Sequence, residues 1–491
     1  MDWLKARVNA TPDALALIIG QEKWTYADLD RLVDQVCLGL QDKVQPGQIV
    51  AVLLPNNLAY VCLIHASARL GVVLLPLNTR LTTQELAWQL EYTDCDLLVY
   101  GRDTAVTSQE LSMANAQLSV VNSENLFVGK EGDPSPKHHP KFALGNLQAI
   151  VFTSGTTGKP KGAMLTFANH FWSALASAYR LGLHNDDLWL SCLPLYHVGG
   201  LAVIWRSCLY GTAVSLHPRF DVEAVSHDLD NHPITLISLV PTMIYRLLAW
   251  RGERPFSPTL RHLLLGGAAA TPELVEHCHA LGIPVATTYG LTEAASQVAT
   301  MLPQDVVQKP GSVGKALMFS QVRIVNERGD AMLPGELGEV VVSGPTVMAG
   351  YYQDAQATAV TLQNGELHTG DIGYLDIDGD LWLVQRRSDI IISGGENVYP
   401  AEVEAVLRGH TAVAAVCVVG IEHPEWGQQV AALVVLSDGK IETGYNLQNY
   451  CRQHLAGYKV PRLLHIVTEL PQTASGKVAR NEVQTLLRQE L

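Results

Sequence analysis

The chain lacks paired cysteines, an excess of basic charge, a long apolar run and any internal repeat. Its eight cysteines (Cys37, Cys62, Cys95, Cys192, Cys208, Cys278, Cys417 and Cys451) are scattered, mostly in apolar settings, with no C-x-x-C pair. A zinc site or a disulfide framework needs closer clustering, so free thiols are expected. The formal net charge is −14, which argues against a nucleic-acid surface but not against a local basic pocket for an anion. No stretch approaches the roughly 18 consecutive apolar residues of a membrane span. The start, "MDWLKARVNATPDALALIIG", has no basic segment followed by a long apolar core, so no secretory signal is expected and the location reads as cytoplasmic.

What is present is 491 residues, 47% hydrophobic and 17% charged, enough for large cores and about three structural units. From Ala149 to Tyr289 strand and helix patterns alternate. "LQAIVF", "HPITLISLV", "RHLLLGG" and "IPVATTYG" read as strands. "NHFWSALASAYRLG" places Phe171, Trp172, Leu175, Ala178 and Tyr179 at helical spacing, with Gly182 as the stop. "PTMIYRLLAW" is a second helix. "TPELVEHCHALG" is a third, with Thr271 as N-cap, Pro272 in the first turn and Gly282 past the end. This order implies an α/β fold of doubly wound, mostly parallel sheets. Ligands of such sheets sit at the carboxyl ends of the strands, so "TSGTTGKPKG", "GGAAA" and "YGLTE" are expected to converge on one crevice. Residues 310–384 alternate apolar and polar positions between turn signals, predicting a small antiparallel β unit. Past "QRRSDIIISGGENVYP" a compact α+β domain of about 100 residues follows. The expected domains are 1–387 and 388–491. "VGKEGDPSPKHHPKF" reads as a surface linker.

"TSGTTGKPKG" (Thr153–Gly162) packs hydroxyls, glycines and lysines directly after a buried strand. A plain turn needs one or two glycines. Inward backbone N–H groups, hydroxyl donors and Lys159 and Lys161 suit phosphate oxygens. The spacing is not that of a Walker A loop, since Pro160 falls five residues past Gly155, and no G-x-G-x-x-G occurs there.

The loop resembles that of the acyl-adenylate-forming superfamily of acyl- and aryl-CoA ligases, peptide-synthetase adenylation domains and firefly-type luciferases. "YGLTE" (Tyr289–Glu293), "GELGE" (Gly335–Glu339), "TGD" (Thr369–Asp371), "RRSDIIISGGENVYPAEVE" (Arg386–Glu404) and "PQTASGKVAR" (Pro471–Arg480) match its motifs in order, over roughly residues 12–485. The resemblance implies the adenylate-forming fold, with a large N-terminal domain and a small mobile C-terminal one. It implies ATP, Mg²⁺ and coenzyme A as co-reactants, with Thr153, Ser154, Gly155, Thr156, Thr157, Gly158, Lys159 and Lys161 cradling phosphate. By the same resemblance Lys477 bridges the carboxylate and the α-phosphate. Glu293 holds magnesium, with Thr157 or Thr292 near it. Asp371 takes the ribose hydroxyls with Arg386 as a ribose or phosphate partner. Gly266, Gly267 and Ala268 let adenine approach backbone, with Tyr289 and Gly290 beside it and Tyr289 as the stacking ring. Ser388 falls at the hinge, where the family usually has Asp or Lys, and Gln385 replaces the usual Gly. Gly394 and Gly395 of "SGGEN" line the pantetheine path.

"LPLYHVGGLAVIWRSCLYG" bears on the acid. His197 matches a gate position; the alternative is a satisfied buried histidine. Arg206 stands among apolar residues, and a buried guanidinium demands an anionic partner. That partner is either a substrate carboxylate or a backbone carbonyl or distant Glu. Arg219 reads as a rim residue. The texture around these positions is most similar to the o-succinylbenzoate–CoA ligases of menaquinone and phylloquinone biosynthesis, whose substrate has two carboxylates. The expected partners are therefore a small carboxylic acid, ATP and CoA, with no nucleic acid and no membrane span. A homo-oligomer is compatible with the sequence. Alternatives are a fatty- or amino-acid-activating member of the superfamily, and a nucleotide-binding protein without ligase activity or a phosphotransferase. Two patterns are decoys. "KHHPKFALG" has Ala143 where an H-H-x-x-x-D motif needs Asp. "DIDGDLWLV" begins like a calcium loop, but Arg387 stands where Glu is required, so a β-turn is expected.

Overall fold

A computed structural model describes residues 2–127, 143–153, 160–268, 270–385, 390–437, 439–471 and 478–489. By contact the chain falls into two units: Met1–Thr79, Leu90–Val151 and Gly162–Val384 form the first, and Arg80–Gln89, Phe152–Lys161 and Gln385–Leu491 the second.

The first unit holds a 14-stranded and a six-stranded sheet. In the larger sheet Leu15–Ile19, Ala213–Leu216, Leu188–Ser191, Leu236–Leu239, His262–Leu265 and Val285–Leu291 lie side by side in that order, all parallel. The chain leaves Leu188–Ser191 for a neighbour on one side, then returns to its other side. The order therefore reverses between Leu188–Ser191 and Leu236–Leu239, and such a reversal opens a crevice at the strand ends. The six-stranded sheet reverses in the same way. Ile49–Leu53 is flanked by Val73–Pro76 and Leu97–Tyr100, both parallel to it.

The expected helices form as Phe167–Leu181, Pro241–Arg251 and Pro272–Ala280. Thr271 caps the last by accepting from Leu274 N, and Gly182 ends the first at φ +74°. One core joins the two sheets through buried Val50, Val52 and Val99 on one and Trp189, Val214 and Leu264 on the other, with Trp205 between. All eight cysteines are buried and free.

The expected antiparallel strands of 310–384 form, and they continue the larger sheet. Ser296–Thr300 pairs antiparallel with both Val285–Leu291 and Ser312–Ala316, and the latter pairs with Leu381–Gln385. The hydrogen-bond ladder is thus unbroken from parallel to antiparallel strands. The strand before "TSGTTGKPKG", Leu147–Thr153, lies in the six-stranded sheet, whereas "GGAAA" and "YGLTE" follow neighbouring strands of the larger one. Residues 154–159 lie outside the described residues, as do the linker 128–142, Arg386, Ser388 and Lys477.

In the second unit, Val413–His423 pairs antiparallel with Gly427–Leu436, which pairs parallel with Leu463–Val467. Helices Pro400–Arg408, Gly444–His454 and Arg480–Gln489 accompany them. This is the expected α+β body, with a short hairpin, Ile391–Ser393 and Glu396–Val398, added at the sheet edge.

Candidate active site

The strands His262–Leu265 and Val285–Leu291 run parallel with Leu265 opposite Thr287. Their carboxyl ends bring Gly266, Gly267 and Ala268 beside Tyr289 and Gly290. A Cβ on Gly266 would lie 2.7 Å from the Thr288 methyl, and one on Gly290 2.0 Å from Ser296 O. Glycine is therefore needed for the chain to pass itself. Gly267 is exposed, at φ +77°. Just beyond, Ala295 and Ser296 take φ values of +51° and +101°, a conformation that residues other than glycine rarely adopt outside functional turns.

Tyr289 is 3% exposed, and its hydroxyl donates to Asp371 Oδ2 at 2.5 Å. Asp371 sits in the strand Glu366–Leu375 and is 7% exposed. The turn carrying it is held from "GELGE". Glu339 accepts from Gly370 N at 2.9 Å and from His368 Nδ1 at 3.0 Å. Thr369 donates to Val340 O at 2.6 Å. Two motifs 30 residues apart in the chain are thus one piece of structure, fixed by the register of Gly338–Ser343 on Glu366–Leu375.

Glu293 lies half-buried in the one-turn helix Thr292–Ala294. Tyr351 Oη donates to its Oε1 at 2.8 Å, and Met348 N donates to its carbonyl at 2.8 Å. The segment bearing Met348 is fixed by Asn169 Nδ2, which donates to Pro345 O and Val347 O at 2.9 and 2.8 Å. Nothing in the sequence near Tyr351 marks it as a partner of Glu293.

His197 opens the helix Val198–Tyr210, half-buried, its ring 4.7 Å from that of Tyr196. It follows Leu188–Ser191, the strand where the order reverses. Arg206, on the same helix, is 2% exposed. Its Nη2 donates to Ser173 Oγ at 3.3 Å, its carbon end lies 5.8 Å from the Trp189 ring, and its Nε has no partner among the described residues. No carboxylate pairs with it among those residues. Burial lowers its pKa, and the Tyr210 hydroxyl works the other way. Ser173 in turn donates to Ala295 O at 2.7 Å, so one hydroxyl links the guanidinium to the Glu293 turn. His170, beside Arg206, is neutral: burial, then the guanidinium, push its pKa down to about 3. Arg219 is exposed on the turn after Ala213–Leu216.

The calcium-like stretch is a turn between Glu366–Leu375 and Leu381–Gln385. Its three carboxylates close on a lysine. Lys309 Nζ lies 2.8, 2.7 and 2.6 Å from Asp376, Asp378 and Asp380. An ammonium from 67 residues upstream of Asp376 supplies the positive charge there.

In the second unit Gly394 and Gly395 form the two-residue turn of the hairpin, at φ +59° and +85°. Two successive positive φ values are what a type I′ turn requires. Glu396, beside them, takes Arg80 at 3.0 Å. Lys459, 3% exposed, bridges Glu85 at 2.6 Å and Glu402 at 2.8 Å. Lys161 begins the strand Lys161–Thr166, and its carbonyl accepts from the Thr153 hydroxyl at 3.4 Å.

The family model for AMP-binding enzymes matches residues 4–352, and that for the AMP-binding enzyme C-terminal domain matches 402–477. The chain belongs to the AMP-binding enzyme family. Among relatives of this AMP-binding enzyme, a 2-succinylbenzoate–CoA ligase of Bacillus thuringiensis subsp. konkukian is 42% identical over 489 residues, 99% of this chain and 98% of the relative. A solved o-succinylbenzoate CoA synthetase of Bacillus subtilis, a double mutant bound to a product analogue, is 38% identical with a TM-score of 0.93, covering 99% and 98% of the two chains. The same Bacillus enzyme with ATP and magnesium ion gives 38% identity and a TM-score of 0.74, covering 98% of each chain. Asp371 and the Gly394–Gly395 turn of this AMP-binding enzyme lie in 353–401, between its two matched regions. No helix among the described residues is long and apolar enough to cross a membrane.

Proposed function

We propose that this AMP-binding enzyme joins o-succinylbenzoate to coenzyme A with ATP, releasing AMP and diphosphate. The observation that carries the choice of acid is Arg206: a buried guanidinium whose hydrogen-bond partner is a serine hydroxyl, next to the Glu293 turn. Such a charge is costly without an anion. A dicarboxylate supplies one, leaving its second carboxylate to react. The 2-succinylbenzoate–CoA ligase and the o-succinylbenzoate CoA synthetase named above support the same acid.

In the first step a carboxylate oxygen of the acid bonds to the α-phosphorus of ATP, and the bond to the leaving diphosphate breaks. In the second, the CoA sulfur loses its proton and bonds to the acyl carbon as AMP leaves. The protein's task in the first step is to bring anions together. Thr153–Lys161 cradles phosphate, and Lys477 stabilises the charge that builds at phosphorus. Gly266, Gly267 and Ala268 take adenine with Tyr289, while Asp371 and Arg386 take the ribose. Glu293, a half-buried carboxylate, would hold Mg²⁺ together with Thr157 or Thr292, since the ion accepts one or two carboxylates and completes its shell with phosphate oxygens and water. The ion supplies screening of phosphate charge. His197 and Arg206 face the acid, with Arg219 at the rim. In the second step Gly394 and Gly395 line the pantetheine path and Ser388 is the hinge, dividing the chain at 1–387 and 388–491.

The test is diphosphate release with CoA and a panel of o-succinylbenzoate, benzoate, a medium-chain fatty acid and amino acids. The expected outcome is highest kcat/KM for o-succinylbenzoate with AMP as co-product. ADP formation, or equal rates with benzoate, would refute it.

A further inference from the structure

Asn56 follows the strand Ile49–Leu53, is 3% exposed, and uses both ends of its amide. Its Oδ1 accepts from Leu195 N at 2.9 Å. Its Nδ2 donates to Leu193 O at 2.9 Å and to His217 O at 3.1 Å. Those partners stand in the loops that leave Leu188–Ser191 and Ala213–Leu216, so one side chain ties the end of a strand of the smaller sheet to the ends of two strands of the larger one. Two of the three strands, Ile49–Leu53 and Leu188–Ser191, are where the order reverses in their respective sheets.

The loop so held is short and closed. His197 N donates to Pro194 O at 3.1 Å, and Gly200 N to His197 O at 3.0 Å. A Cβ on Gly200 would lie 2.3 Å from Pro194 O and 2.8 Å from Leu193 O. Asn56 thus fixes the loop from one side and the bare Gly200 lets it close on the other, with His197 between. Few side chains fit the task. Asp accepts but cannot donate, and would set an anion against two carbonyls. Gln is a methylene longer in a site with no spare room.

We infer that Asn56 is a positioning residue for acid selection: it acts through the 193–197 loop to place His197, without touching the acid or ATP. The inference rests on the reading that His197 faces the acid. The nucleotide-side residues Gly266, Tyr289 and Asp371 receive no hydrogen bond from Asn56, so the effect divides between substrates.

The experiment is steady-state diphosphate release on the full-length protein for Asn56→Asp, Gly200→Ala, His197→Ala and the Asn56→Asp/His197→Ala double variant, with thermal melting of each. Asn56→Asp is expected to raise KM for o-succinylbenzoate by about tenfold to a hundredfold, as misplacement of a substrate-facing group does. KM for ATP should stay within about twofold, well below that effect. Gly200→Ala, which strains the loop from its other side, should give the same split and keeps the test open if Asn56→Asp folds poorly. On the His197→Ala background Asn56→Asp should add less than about twofold. Equal rises in both KM values that follow the loss of melting temperature would overturn the inference, as would additivity in the double variant. A silent His197→Ala would overturn both this inference and the reading of His197 on which it rests.

Discussion

The hydroxyl of Tyr289 and the carboxylate of Asp371, 82 positions apart, meet at 2.5 Å in a buried setting. The bond joins the end of Val285–Leu291 to the middle of Glu366–Leu375, and with it the two residues that the proposed function assigns to adenine and to ribose.

Removing that hydroxyl leaves a buried carboxylate one donor short. Tyr289→Phe is expected to raise KM for ATP by about tenfold, the worth of a hydrogen bond to a charged group. KM for the acid should be unchanged. Initial-rate titrations of both substrates decide it, and a variant with unaltered KM for ATP would show the bond to be idle.

Arg206→Met replaces a buried charge that has no carboxylate partner among the described residues with an apolar side chain of similar length. Such replacements are neutral or stabilising where no anion is bound. The ligand-free variant should melt at or above the wild-type temperature. Saturating o-succinylbenzoate should raise the wild-type Tm and leave the variant's unmoved. Its kcat/KM should fall far more for the dicarboxylate than for benzoate, and equal losses would count against the pairing.

Lys309 among Asp376, Asp378 and Asp380 predicts a pH signature. Burial works to raise the pKa of Asp376, but the Lys309 ammonium and backbone donors outweigh it and hold the value at about 2, below its ordinary 3.8. A carboxyl depressed by folding adds stability above its unfolded pKa, and that stability fades as pH falls through the folded one. The contribution is therefore complete above pH 3.8 and lost toward about pH 2. Lys309→Met should lower Tm at neutral pH, with the deficit shrinking across that window. Thermal melts from pH 2 to 7 report it; a constant deficit would exclude the ion cluster as its source.

His65 and His170 carry the opposite kind of burial. Desolvation holds His65 neutral down to about pH 4 and His170 down to about pH 3, against an ordinary 6.5. Between those values and 6.5 the unfolded chain binds more protons, so stability falls as pH drops below 6.5. His170→Phe should flatten part of that fall in equilibrium unfolding followed from pH 6.5 to 4.

Lys477→Ala should abolish adenylate formation and spare thioester formation from supplied acyl-adenylate. Diphosphate release and CoA consumption measure the two steps separately. Loss of both would remove the assignment of the lysine to the first step.

Local order was readable in the chain because its determinants are close together. Thr271 before Pro272, Gly182 after a helical stripe and the alternation within "GELGEVVVSG" each fix a boundary within a few residues. Gly266 and Gly290 stood out as glycines, but their reasons did not: the Thr288 methyl and Ser296 carbonyl that exclude a Cβ come from neighbouring strands. Tyr351 carried no mark at all, since its value lies in reaching a carboxylate 58 residues away. The antiparallel character of 310–384 was legible, but its partner in the larger sheet was not, because alternation shows how a strand faces and not which strand it joins.

By itself the sequence determined the family, through six ordered motifs whose residue types suit phosphate, ribose and carboxylate, and the parallel α/β character, through strand and helix periods that are local properties of the backbone. Only the tertiary structure decided that Lys309 fills the place of a cation, that Arg206 is buried without a carboxylate among the described residues, and that Asn56 holds the loop of His197. Each depends on strand order and register, which bring residues tens to hundreds of positions apart within hydrogen-bonding distance and leave no periodic trace in the chain.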